Sequence, residues 1–399
     1  MTLDETDRVL DCGFCRVKLH IFSHGTLRYC MPPKTAGDDV IYLPYWRFKG
    51  TVYSCADIRI HHRLVDASQL ARDISGVPFS MGLRPQVLHL RFAVRDTPGA
   101  LAPPDCSGED ALKIMEERFS GLRVGAFRGE SLERAYIGET ASVIFAPFTR
   151  KRGKWYDAIL DRSVGQCAEA DEFLDTRHFN QQNWEPEFLP AMCPYCGWDL
   201  SGERDTHVFL CRNCDSAWRA RGKKLARVRA RIVPTKNPEA LYLPFWKISP
   251  EVSGLDLDSH ADLVRLANLP VAQRPEWEHR EANLWTPAFK MNPKLFLRVA
   301  RQITTSPPMA HTSDRLRMKQ VLSANLPLSE AVEFLKVLLA EVAVPRQKIF
   351  PYLPYISVKP KSAGLVYVPF IPQGSGQELV GEGLGFAVSA KALETGQGL

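Results

Sequence analysis

Four cysteines carry the clearest chemistry in the sequence. Cys193-Pro194-Tyr195-Cys196 is followed, after fourteen intervening residues, by Cys211-Arg212-Asn213-Cys214. Two close thiolate pairs joined by a short connector are the ligand set of a tetrahedral zinc ribbon. A closed four-sulfur site leaves no position for water or substrate, so this pattern predicts a Zn²⁺ staple and not a reaction centre. An earlier, imperfect copy begins at Cys12-Gly13-Phe14-Cys15, with Cys30 after the same interval and Pro33 where a fourth cysteine would stand. Either His20 or His24 offers a replacement ligand for a three-cysteine, one-histidine site, and a metal-free relic is the other reading. Close cysteine pairs also fit thiol exchange, but two further cysteines at ribbon spacing favour metal at the complete site.

A basic run follows the complete ribbon: Arg219, Arg221, Lys223, Lys224, Arg227, Arg229 and Arg231. From Arg227 to Arg231 the charges alternate with Val228, Ala230 and Ile232, which on a strand puts them on one face. Such a face suits nucleic-acid phosphates or an acidic protein partner. The formal net charge of +6 is modest for 399 residues and does not decide between them. The sequence contains no phosphate loop, dinucleotide fingerprint, hydrolase elbow or metalloprotease helix, so no linear motif names a reaction.

The elements that must position these groups recur. Ile41-Tyr42-Leu43-Pro44-Tyr45-Trp46-Arg47-Phe48-Lys49 has a close counterpart in Leu241-Tyr242-Leu243-Pro244-Phe245-Trp246-Lys247-Ile248, and shorter relatives stand at Ile144-Phe145-Ala146-Pro147-Phe148 and Val366-Tyr367-Val368-Pro369-Phe370. Each reads as an extended strand with its proline at an edge or bulge. Tyr45, Trp46, Phe245 and Trp246 are expected in a core or at a protein interface. Arg84 to Phe92 parallels Asn292 to Ala300, where Asn292 and Pro293 predict a capped helix, while the first copy is helical or extended. Glu109 to Phe119 and Leu328 to Leu339, the latter with Ser329 as cap, predict amphipathic helices before the second aromatic strand of each half. Val143 to Phe148, a basic turn at 149–154 and Trp155 to Asp161 predict a hairpin. A short helix at Ala168 to Leu174 is expected within the linker.

Aromatic-proline strands behind a ribbon resemble a set of poorly characterised bacterial zinc-ribbon proteins with strand modules of the Leu-Pro-Phe-Trp type. The resemblance rests on both ribbons and the scattered strand motifs. It implies an architecture and brings no catalytic residue.

The sequence therefore predicts an α+β protein of tandem duplicated halves, each with an N-terminal zinc-ribbon-like element followed by antiparallel strands and helices. The expected divisions are a degenerate ribbon at 1–35, a first α+β domain at 36–165, a linker at 166–189, the complete ribbon at 190–220, a second α+β domain at 221–392 and a tail at 393–399. With 45% hydrophobic residues the chain can bury sizeable cores. Ten cysteines, four of them grouped with zinc spacing, an acidic start and no long apolar run predict a cytoplasmic protein, with peripheral association with a membrane complex left open. The expected function is a zinc-binding structural or adaptor subunit that mediates protein assembly, with nucleic-acid binding as the alternative and thiol redox chemistry behind both.

Overall fold

Runs of β-branched and aromatic residues form long strands here, and shorter apolar-periodic stretches form helices. The computed structural model describes residues 5–14, 16–23, 25–35, 37, 39–121, 132–167, 184–374 and 376–396. The N-terminal part holds β1 (Val9–Asp11), β2 (Lys18–Phe22), β3 (Arg28–Cys30), β4 (Ile41–Ala56), β5 (Arg59–Leu70), α1 (Arg84–Val87), β6 (Arg91–Phe92), β7 (Ala100–Leu101), α2 (Gly108–Gly121), β8 (Glu133–Lys151), β9 (Lys154–Asp157) and β10 (Arg162–Gln166). The cysteine module brings β11 (Glu187–Pro190), β12 (Phe209–Cys211), β13 (Ser216–Arg221) and β14 (Lys224–Val228). The C-terminal part holds β15 (Ala230–Ile232), β16 (Leu241–Ser253), α3 (His260–Leu266), β17 (Leu284–Pro287), α4 (Pro293–Thr305), β18 (Gln320–Val321), α5 (Leu328–Glu333), α6 (Leu335–Val342), β19 (Ser357–Gln373), β20 (Glu378–Gly381), β21 (Ala387–Ser389) and α7 (Ala390–Gly396).

Two mixed sheets of similar plan dominate this α and β structure. In the first, β4 and β8 pair antiparallel, with Tyr42 opposite Pro147, Pro44 opposite Phe145 and Trp46 opposite Val143. In the second, β16 and β19 pair in the same register, with Tyr242 opposite Pro369, Pro244 opposite Tyr367 and Trp246 opposite Leu365. The flanking strands correspond as well. β5 and β17 lie antiparallel beside the aromatic strand, β7 and β18 lie parallel beside its start, and β3 and β15 lie parallel to β8 and β19.

The prolines sit inside these sheets, contrary to the edge or bulge expected of them, and the hydrogen-bond ladder shows why they are tolerated. Proline has no N–H to donate, so it fits a central strand only where no acceptor waits for it. Pro44 stands between the end of the β7 pairing and the start of the β5 pairing, and its carbonyl accepts from Ala71 at 2.9 Å. Pro244 stands between β18 and β17 and accepts from Ala288 at 2.9 Å. On the other main strand, Pro147 lies between β3 and β9 and accepts from Ala158 at 3.0 Å, and Pro369 lies between β15 and β20 and accepts from Glu382 at 3.1 Å. All four prolines mark a change of partner strand.

The aromatics around them are core residues. Tyr45, Trp46, Phe245 and Trp246 are all buried, which corrects the expectation of an interface at these positions. Their polar atoms are used internally: Tyr45 Oη donates to the Pro78 carbonyl at 2.7 Å, Trp46 Nε1 to the Cys106 carbonyl at 3.0 Å and Trp246 Nε1 to the Leu326 carbonyl at 2.9 Å. Phe245 packs against Phe289 and Phe370.

Helices follow their local signals with two corrections. Asn292 caps α4 through Lys294 N–H, with Pro293 in the first turn, as expected. The stretch at 328–339 is instead two helices, and Pro327, not Ser329, precedes the first of them. The copy at 84–92 is one helical turn followed by the short strand β6. Of α2's apolar side, Met115 is buried and Leu112 half-buried, while the Phe119 side chain lies outside the described residues. The return strand of the 143–161 hairpin stops at Asp157, whose carboxylate accepts from the N–H groups of Ile159 and Leu160. The helix expected at 168–174 also lies outside the described residues. α7 (Ala390–Gly396) runs from the end of the second domain into the expected tail at 393–399.

The far ends of β4, β5 and β8 rest on helices of the C-terminal part. Tyr53 packs against Phe296 and Phe334, and its hydroxyl donates to the Pro293 carbonyl at 2.7 Å. Backbone N–H groups of Tyr136 and Gly138 donate to Glu333 and Glu330, and Lys336 pairs with Glu133. One hydrophobic cluster therefore contains Tyr53 and Ile137 together with the second sheet.

A buried ion cluster fixes the chain's beginning to the first sheet. Arg47, one residue after Trp46, donates in bidentate fashion to Asp66 at 2.8 Å twice, to the Pro85 carbonyl at 3.2 Å and to Glu5. The other Glu5 oxygen accepts from the Ser142 hydroxyl. Burial pushes the Asp66 carboxyl up, but hydrogen bonds from Arg47 and Gln86 and the Arg47 charge outweigh it and hold its pKa below the usual value. That contribution to stability is fully present above the unfolded carboxylate range, about pH 4, and is lost as pH falls through the lower folded value. Arg47→Ala leaves the buried Glu5 carboxylate without its cation, while Asp66 can still reach solvent, and is expected to cost about 3 kcal/mol in urea unfolding. A cost below about 1 kcal/mol, the level of an exposed ion pair, would show that the cluster does not anchor the chain. Asp66→Asn is expected to flatten the acid limb of the stability curve.

Candidate metal centre

Each cysteine pair sits on a tight backbone turn that holds its sulfurs inward. Cys193 N–H donates to the Trp198 carbonyl at 2.8 Å and Gly197 N–H to the Cys193 carbonyl at 2.9 Å, with Gly197 at φ +73°, a conformation open to glycine at no steric cost. The second pair straddles the turn between β12 and β13, where Asp215 takes φ +52°. The antiparallel sheet β12–β13–β14 supports this turn, and Phe209, Leu200 and Trp218 form a small core beneath the sulfurs.

The four sulfurs converge as the sequence predicts. All lie within 4.8 Å of one another, with Cys193 and Cys214 Sγ at 3.6 Å and Cys196 and Cys211 Sγ at 3.5 Å. A tetrahedral ion about 2.3 Å from each sulfur requires edges of about 3.8 Å, so the cluster fits a metal. Cys193 and Cys211 are buried, and Cys196 and Cys214 partly exposed. Burial pushes the Cys193 thiol up, yet N–H groups of Cys196 and Tyr195 and the side chains of Ser216 and Cys214 bring its pKa down to about 6. For Cys196 the Asn213 side chain and the Trp198 N–H lower it. Burial dominates at Cys211, pushed up to about 12, and raises Cys214. Donors aimed at two sulfurs thus favour thiolate before any cation is present, and a divalent ion would supply what the other two need. Ser216, which the sequence reading missed, accepts from Trp218 Nε1 at 2.8 Å and touches Cys214 Sγ at 2.9 Å. Its only sequence signal is a small hydroxyl two residues past the last ligand.

The N-terminal copy keeps one turn of this design. Cys12 N–H donates to the Val17 carbonyl and Arg16 N–H to the Cys12 carbonyl, both at 2.9 Å, with Arg16 at φ +59°. That is the pattern of Cys193, Gly197 and Trp198. The second half of the copy is different. Cys30 ends β3, opposite Phe145 on β8, the place that Ile232 takes opposite Tyr367. It is a buried sheet residue whose thiol burial pushes up to about 12. His20 lies buried edge-on to Phe209, and burial, then the Arg8 charge, brings it down to about 4. Cys15 and His24 lie outside the described residues. Among the described residues, the four cysteines of the complete site are the one group of three or more metal-binding side chains.

The basic run divides between two faces. Register sets Arg221 opposite Lys224 and Arg219 opposite Ala226, so Arg219, Arg221 and Lys224 share one face of the β13–β14 hairpin. Arg227 lies opposite Trp218, on the other face. Lys223 pairs with Glu187 at 2.7 Å. Arg229 and Arg231 flank and enter β15 in the second sheet, exposed in alternation with Ala230 and Ile232, while Arg227 ends up in the module's own sheet, so the single strand face expected from Arg227 to Arg231 is broken at Arg229.

Cys211→Ser removes one ligand. It is expected to abolish stoichiometric metal retention and strip amide-exchange protection from 191–228 while β16 and β19 keep theirs, because about 10 kcal/mol of folding energy in such modules comes from the metal. Unchanged metal content and local protection would refute the site.

Comparisons with protein-family models, with characterised proteins and with solved structures give no match for this chain.

Proposed function

We propose that this protein is a structural or adaptor subunit, a duplicated α+β scaffold stapled by one Zn²⁺ at Cys193, Cys196, Cys211 and Cys214, that assembles with a protein partner. The observation that carries the reading is the surface of the cysteine module. Tyr195 and Trp198 are 80% and 59% exposed around the first metal turn, with Met192 also exposed beside them, so three large apolar side chains stand out within seven residues of one small module. Exposed apolar side chains held by a rigid turn are the anatomy of a protein contact.

Zinc is favoured because four thiolates at tetrahedral spacing suit a soft-tolerant ion, and a closed site has structural and not catalytic use. Duplication is favoured because two sheets that pair residue for residue, with prolines and tryptophans at the same steps, are explained most simply by one ancestral unit. A thiolate cluster needs a reducing compartment, which supports the cytoplasm. No helix among the described residues is long and apolar enough to cross a membrane.

Nucleic-acid binding is the second reading, favoured by Arg219, Arg221 and Lys224 on one hairpin face. Purification of the native complex separates the two. A stoichiometric protein partner, one zinc per chain and little nucleic acid are expected. Nucleic acid whose retention falls with salt, without a protein partner, would replace the assembly reading.

A further inference from the structure

Lys247 occupies the step of the second sheet that Arg47 occupies in the first. Each follows the strand's tryptophan, and Lys247 faces Gly364 on β19 as Arg47 faces Ser142 on β8. In the first sheet the space above this pair holds the Glu5 carboxylate, one oxygen on Arg47 and the other on Ser142. In the second sheet the residue opposite the cation has no side chain. A Cβ at Gly364 would meet one atom within 4 Å, the Arg229 carbonyl oxygen at 3.3 Å.

Cations surround this gap. Arg231 is in register with Val366, which is in register with Phe245, so Arg231 and Arg229 share the face of Phe245 and Lys247. One row across the sheet reads Gly364, Lys247, Trp285, with the Arg229 backbone beside Gly364, and the Lys247 ammonium lies 5.8 Å from the Trp285 ring centroid. Half-buried Lys247 feels three guanidinium groups, Arg280, Arg231 and Arg229, against one carboxylate, Glu281. Glu281 is already engaged, accepting from Ser249 at 3.2 Å and pairing with Lys361 at 2.9 Å. Among the described residues, Lys247 has no hydrogen-bonded counter-ion. Burial first, then the Arg280 and Arg231 charges, lowers its proton affinity, as expected where an anion is missing.

We propose that the notch at Lys247 and Gly364 receives a carboxylate from an acidic segment of a protein partner, as the first sheet's notch receives Glu5. This rests on the assembly reading and names the chemistry of the partner. The first sheet supplies the precedent for the occupant: a segment outside the sheet lays one carboxylate between a cation and the residue across from it. The notch is one row wide between adjacent strands, which suits a single carboxylate delivered by a peptide.

Calorimetric titration of the full-length chain with acetylated hexaglutamate at about 0.15 M salt tests this. Saturable one-to-one binding is expected, weakened about tenfold or more in Lys247→Met and kept in Lys247→Arg, both with wild-type thermal midpoints. A variant carrying Arg219→Ser, Arg221→Ser and Lys224→Ser is expected to bind as wild type does. Absence of saturable binding, equal affinity in Lys247→Met, or an equal loss in the triple variant would overturn the proposal. Binding of inorganic phosphate that depends on Lys247, with no peptide binding, would overturn it in favour of a free-anion site. A native complex without a protein partner would sink the assembly reading whatever the titration gives, so the two failures are told apart.

Discussion

A missing N–H governs the plan of this molecule. Four prolines stand in the middle of the two main strand pairs, and each removes a donor that a continuous neighbouring strand would require. The neighbours therefore cannot run past them. Each main strand is flanked on its outer side by two short partners, one ending and one beginning at the proline, and the proline carbonyl takes the N–H of the incoming segment. The change of partner lets parallel strands such as β3 and β15 join a sheet that is otherwise antiparallel. It also directs the chain outward at defined places, where the tryptophan two residues beyond Pro44 or Pro244 holds the returning segment by its indole N–H.

The same step of the two sheets shows how one charged position is resolved in two ways. A cation after the tryptophan stands beside the buried middle of its strand, where an unpaired charge is costly. At Arg47 the solution is complete: a planar guanidinium with several donors meets two carboxylates and a carbonyl, geometry that lysine cannot reproduce. At Lys247 the protein keeps the charge, widens the space with glycine and adds arginines around it. Identical backbone frames thus carry a satisfied site and an electron-poor one.

How much of this was legible in the sequence depends on the range of the interaction. The metal ligands were, because thiolate spacing within twenty-two residues encodes a local turn and little else. The paired aromatic strands were, because their repetition is visible without knowing what they pair with. Cys30 was not. Its spacing from Cys15 copies that of Cys211 from Cys196, yet among the described residues the chain after Cys30 forms no counterpart of the β13–β14 hairpin, and the strand that carries Cys30 enters the large sheet instead. The prolines were read as edge markers because the exchange of flanking strands depends on segments far away in sequence. Arg47 and Lys247 stand at matching steps of the repeated strand motif, but Glu5, Asp66 and Gly364, which decide what each cation meets, carry no motif, since their meaning comes from register and tertiary contact.

The metal module is small beside the two sheets, but it is not peripheral to them. Arg8 and Val9 N–H groups both donate to the Arg204 carbonyl inside the module, at 2.6 and 2.8 Å, and Asp7 pairs with the Arg204 side chain. β11, which leads into the first cysteine pair, is hydrogen-bonded to β2. The segment that begins with Glu5 in the Arg47 cluster therefore passes directly across the cysteine module before reaching β1. Cysteine module, N-terminal segment and ion cluster stand in mechanical series, so a module whose own core is only a handful of residues bears on the first sheet's charge cluster as well as on its own turns.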